Sequence, residues 1–151
     1  MRWRQRASEP PARGIEKVAA SLLTIALLVG CGIAKDPLAV ALGDGSSATA
    51  SAAFALEHHS SGRLTGPTAR TMLDDARREL STAMEQVSAL SASGDRADVQ
   101  ADALPLLARA VHDLHTAADR IGSAEADAAA ARLRDDATAL ERLEKQAASL
   151  R

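Results

Sequence analysis

Aromatic side chains are nearly missing from this chain: Trp3 and Phe54 are its two, and there is no tyrosine. Trp3 lies in a basic leader, which leaves Phe54 alone in the remainder. A platform that stacks bases or sugar rings needs several such faces, so that class of surface is excluded. Cysteine occurs once, at Cys31, so no internal disulfide can form. Valine and isoleucine are sparse after Cys31 and no alternating pattern appears, so strands are not expected. Basic charge is also short where a nucleic acid would need it. Five of the 18 Lys/Arg and two of the 20 Asp/Glu precede Cys31, leaving 13 against 18. That acidic balance argues against binding to phosphate backbones, and no nucleic-acid partner is expected.

What the chain does have begins with its leader. Arg2, Arg4, Arg6, Arg13 and Lys17 stand ahead of an apolar run over 18–29, broken only by Ser21 and Thr24. Basic segment, apolar core and small residue at the cut make a secretory signal. The run closes on Leu28-Val29-Gly30-Cys31. This stretch resembles the lipobox of bacterial lipoproteins: a branched apolar residue, a small or β-branched one, Gly or Ala, then Cys. The resemblance implies a diacylglycerol on the Cys31 thiol, with Leu28, Val29 and Gly30 recognised by the peptidase that cuts before Cys31. It further implies a mature protein held at the membrane outside the cytoplasm, with no other cofactor. A diacylglyceryl group supplies two chains, and two chains hold stably where one is marginal. Two other readings stay open. Residues 18–34 could be an uncut anchor, although the run between Lys17 and Lys35 falls short of the ~20 apolar residues a span requires. Alternatively, an ordinary signal peptidase could cut, leaving Cys31 without a role.

The leader thus covers residues 1–30. Residues 31–47 read as a lipidated N-terminus and flexible tether, because Lys35-Asp36-Pro37 and Gly43-Asp44-Gly45-Ser46-Ser47 are turn and linker chemistry. From 48 to 151, alanine, leucine, glutamate and arginine dominate, and these are strong helix formers. A short helix is expected over 48–59. A second opens at Thr65-Gly66-Pro67 and carries the stripe Ala69, Met72, Leu73, Ala76, Leu80, Ala83, Met84, Val87 and Leu90, with Gly94 placed as its left-handed cap. The lead-in from Gly62 to Pro67 is similar to that of small helical lipoproteins of high-GC bacteria, a likeness that carries no functional residue. A third helix spans about 96–121, with Pro105 either kinking it or dividing it. A fourth starts at the cap residue Ser123 and runs to the C-terminus. The expected fold is all-α: an antiparallel three-helix bundle with an additional short N-terminal helix. Its alanine-rich stripes leave room for self-association or for another envelope protein as partner.

Few residues offer chemistry. His58-His59 close the first helix, and His112 and His115 lie three apart on the third. Those four are the only set from which a metal site could be assembled, and a histidine-based metal-binding protein is the alternative function. The spacing alone is that of a solvated His112 and a His115 at the edge of the apolar stripe; no metal site is expected. No Gly-x-Ser-x-Gly, His-Glu-x-x-His or Glu-x-x-His is present. The neighbouring carboxylates Asp74-Asp75 and Asp135-Asp136 read as exposed, since adjacent helical residues diverge and cannot share a cleft. No catalytic residue emerges, and the chain is not expected to be an enzyme. The function implied is a membrane-anchored helical module for structural or protein-protein contact.

Overall fold

A computed structural model describes residues 36–150; Leu28, Val29, Gly30 and Cys31 lie outside the described residues. Four helices pack together: α1 (Pro37–Ser60), α2 (Gly66–Ala89), α3 (Asp95–Asp119) and α4 (Ala124–Ser149). The fold is all-α and antiparallel, as the sequence suggests, but its first helix is as long as the others. Around the bundle the order is α1, α2, α3, α4, with α1 packed on both α2 and α4 and reaching α3 across the centre.

Helix α1 starts where a tether is expected. Asp36 caps it, its carboxylate accepting from the amides of Leu38 (2.8 Å) and Ala39 (3.3 Å). Pro37 fits the first turn, where no backbone donor is required. The linker-like Gly43-Asp44-Gly45-Ser46-Ser47 is helical throughout. Tertiary packing overrides its weak propensity. A Cβ on Gly45 would stand 2.8 Å from Leu107 Cδ2 of α3 and 3.4 Å from Ala83 Cβ of α2. The missing side chain is what lets α1 cross the middle of the bundle. One turn on, the Thr49 hydroxyl is fully buried and donates to the Gly45 carbonyl at 2.7 Å. The Ser46 hydroxyl donates to the Ala137 carbonyl of α4 at 3.0 Å. The apolar pentad Leu38 to Leu42 belongs to the same helix, with Leu38 and Leu42 fully buried.

The ends of the helices are closed by specific groups. Gly62, at φ 73, terminates α1: its amide bonds to the His59 carbonyl and that of Arg63 to the His58 carbonyl. This is the paired closure of a Schellman motif. Gly94 does not end α2. At φ 56 and ψ −142 it is the N-cap of α3. The carbonyls at the end of α2 are instead satisfied from α3, where Gln100 Nε2 donates to Val87 (2.6 Å) and Leu90 (2.9 Å). Ser123 caps α4, its Oγ accepting from the Ala126 amide at 3.3 Å. Helix α3 runs unbroken through Pro105. The proline leaves the Ala101 carbonyl without its helical donor, and both residues are exposed, so water can replace it.

The core is built of leucine and alanine. Leu38, Leu42 and Leu56 of α1 meet Leu73 and Leu80 of α2, Leu107 and Leu114 of α3, and Leu133 and Leu140 of α4, each 2% exposed or less. Buried alanines fill the seams and let the backbones approach closely. Phe54 is not part of this core. It is 47% exposed, its ring stacked on His58 with centroids 3.8 Å apart.

Candidate functional site

Two carboxylates interrupt the apolar core, and neither was legible as buried from its neighbours. Asp136 on α4 is 1% exposed and Asp113 on α3 is 7% exposed. The expectation that Asp136 shares an exposed face with Asp135 is therefore corrected: Asp135 faces solvent and Asp136 faces α3. Leu133 lies three residues before Asp136 and Leu140 four after, which puts the carboxylate inside the buried stripe.

Each carboxylate is met by an arginine from the opposite helix. Arg109 Nε lies 3.1 Å from both Asp136 carboxylate oxygens, and its Nη2 also bonds Oδ1. Arg132 Nε donates to Asp113 Oδ2 at 2.8 Å and its Nη2 to Oδ1 at 3.1 Å. The geometry is bidentate in both, the strong form of the arginine–carboxylate pair. The pairs are reciprocal: α3 gives an arginine and then an aspartate four residues on, and α4 answers in reverse order. Both guanidiniums are about half exposed and both carboxylates nearly buried. The hydrogen bond that Arg109 donates to Asp136, then the charge of Asp136, holds Arg109 above its ordinary value; Asp113 does the same for Arg132. Such a cluster does not shuttle protons. Its arginines stay charged and its carboxylate oxygens are occupied, so its chemistry is recognition between helices. The signal for it in the sequence is an aspartate at a stripe position on each helix, with an arginine four residues from it.

The histidines do not gather. His58 and His59 end α1, and His112 and His115 are exposed on α3. His59 Nδ1 lies 3.1 Å from the Leu64 carbonyl, which can only accept, so that nitrogen carries the hydrogen. His115 Nε2 stands 3.9 Å from Asp119. Among the described residues no group of three His, Cys, Asp or Glu is placed to hold a metal ion. The histidine-based metal reading gains no support from this geometry. Every buried side-chain nitrogen and oxygen among the described residues has a hydrogen-bond partner, so no orphaned polar atom marks a ligand site.

A groove of about 420 Å³ lies between α1 and α2. Asp44, Ser47, Arg78, Glu79, Thr82 and Gln86 line it, and all six are exposed. Ligand pockets enclose most of their occupant, and this one is an open trough. Further ties cross the bundle: Arg96 of α3 bonds the cap residue Asp36 at 2.6 Å, and Arg134 of α4 bonds Glu57 of α1. These ties join α1 to α3 and to α4. Comparison with protein-family models, with curated proteins and with solved structures gave no match.

Proposed function

We propose that this chain is a bacterial envelope lipoprotein, acylated on Cys31, that presents its helical bundle outside the cytoplasmic membrane for contact with another envelope protein or a second copy. The observation that carries the reading is Leu28-Val29-Gly30-Cys31 at the end of a basic and then apolar leader. The position of the bundle supports it. Helix α1 is capped by Asp36, so a cut before Cys31 removes no part of any described helix. Among the described residues no helix is long and apolar enough to cross a membrane. In this reading attachment comes from the two acyl chains alone. The bundle itself acts as a rigid scaffold rather than a catalyst, since its buried carboxylates are bound to arginines.

Mass spectrometry of the mature N-terminus, joined to detergent partitioning, tests the proposal. The expected product begins at Cys31, carries diacylglycerol and enters the detergent phase, and Cys31→Ser abolishes all three. A chain that begins upstream of Cys31, or a bare thiol on protein that washes off bilayers, refutes it.

A further inference from the structure

We infer that the bundle stands end-on to the bilayer, with the loop of residues 90–94 facing the lipid headgroups and the opposite end, around His59 and Gly122, turned outward. The inference rests on Cys31 being the lipidated residue. Its physical basis is the shortness of the chain between lipid and fold. Only residues 32–35 separate Cys31 from the cap residue Asp36. Five fully extended steps reach at most about 18 Å. Helix α2, with 24 residues, is about 36 Å long at 1.5 Å per residue. One end of the bundle must therefore stay near the headgroups.

Which elements share that end is fixed by contacts. Arg96 at the start of α3 bonds Asp36 at the start of α1. Gln100 of α3 holds the carbonyls of Val87 and Leu90 at the end of α2. The Gly43 backbone of α1 faces the Glu144 side chain near the end of α4. At the other end, the His59 ring lies 3.6 Å from where a Cβ of Gly122 would be.

The surface chemistry separates standing from lying. A body that lies on a bilayer needs a continuous apolar face. The large exposed apolar residues among those described are Val40 and Phe54, fourteen positions apart on α1, about 21 Å along its axis. They make no such face. At the near end residues 90–94 are Leu-Ser-Ala-Ser-Gly, without charge, and Asp36 is paired with Arg96. The exposed Asp95 and Asp98 of the first α3 turn give anionic headgroups nothing to attract, so the short connection alone holds this end there. The far end carries the basic Arg63 and Arg120, of which Arg120 is paired with Glu125. Anionic headgroups would attract Arg63, but the short connection keeps that end away while the bundle stands.

The test uses the full lipidated chain in phosphatidylethanolamine–phosphatidylglycerol vesicles. Cys31 is blocked by its thioether, so an added cysteine is the sole free thiol. Ser93→Cys labels the near loop and Ser61→Cys the far one; both positions are exposed. Energy transfer to a headgroup dye is expected to be several-fold stronger from residue 93 than from residue 61. Inserting twelve Gly/Ser residues between Cys31 and Asp36 should bring the two signals together. Equal transfer in the uninserted protein means a bundle lying flat or tumbling, and overturns the orientation while lipidation stands. A difference that survives the insertion overturns the short connection as its cause. If the protein does not float with vesicles and Cys31→Ser changes nothing, the lipid reading itself has failed and the orientation falls with it.

Discussion

Removing one partner at a time from the Arg109–Asp136 pair should give unequal losses, and the inequality is the informative part. Asp136 is 1% exposed whereas the Arg109 side chain is 55% exposed. Arg109→Ala leaves a carboxylate in the core with no counter-charge, and stranding a buried ion costs about 3–5 kcal/mol. Asp136→Ala strands nothing, because the guanidinium returns to water. Its loss is the charge-assisted hydrogen bonding, about 1–2 kcal/mol after allowing for the exposed side of the pair. The double replacement Arg109→Met with Asp136→Leu exchanges a bridge for apolar contact and should lie within about 1 kcal/mol of the parent. Arg132→Ala should follow the same order with a smaller loss, since Asp113 keeps 7% of its surface. The assay is urea unfolding of residues 32–151, followed by circular dichroism, with the slope checked for constancy before midpoints are converted to free energies. Arg109 also feels the charge of Asp113, so the two pairs should not be additive in a double-mutant cycle. If Arg109→Ala costs less than Asp136→Ala, or less than about 1 kcal/mol, the reasoning from burial is refuted, because the magnitude expected for a stranded ion would be absent.

The glycines of α1 should separate by what they face. Gly45→Ala meets the buried Leu107 at 2.8 Å; overpacking of about 1–3 kcal/mol outweighs or cancels the gain of about 1 kcal/mol from replacing a helical glycine. Gly43→Ala meets only the movable end of Glu144, so the propensity gain should show as a higher melting temperature; the reverse ranking would place the α1 crossing elsewhere. Gln100→Ala strips the end of α2 of its two side-chain bonds and should cost about 1–2 kcal/mol, with faster amide exchange in the last turn of α2 and the first residues after it. Glu141 is held below its ordinary value, by its hydrogen bond from Lys145 first and by charge second. Its contribution is complete above the ordinary carboxylate value and is lost as pH falls through the lowered one. Lys145→Ala should move the Glu141 titration upward in NMR, and an unmoved curve would mean that the pair at 2.7 Å does not persist in solution.

Three of the four helices were legible because their signals are local. The stripe from Ala69 to Val87, the cap at Ser123 and the glycine at Gly62 each act through residues a few positions away. The first half of α1 was not legible. Gly43-Asp44-Gly45-Ser46-Ser47 has the composition of a linker, and what makes it helical is Leu107, Ala83 and Ala137 on other helices. The same holds for Gly94, which lies between α2 and α3 and serves the latter. Pro105 posed a choice between kink and break that neighbouring residues could not settle; an exposed position on a packed helix allows one continuous element. The metal alternative rested on four histidines whose spacing says nothing of where the ends of α1 and the middle of α3 lie in space. Asp113 and Asp136 were hidden for the opposite reason. Each sits at a stripe position, and an aspartate that follows His112 or Asp135 reads as surface until its arginine across the interface is known.

The reciprocal order of those charges has one more consequence. Helices lined with alanine are nearly degenerate under sliding, since every turn offers the same small side chain to its neighbour. Were α4 to slip past α3 by about a turn in one sense, Arg109 would confront Arg132; in the other sense, Asp113 would confront Asp136. Either error brings like charges together where water is scarce. The sequence thereby rejects misaligned hairpins that leucine and alanine alone would tolerate, and it does so with four side chains whose charges cancel.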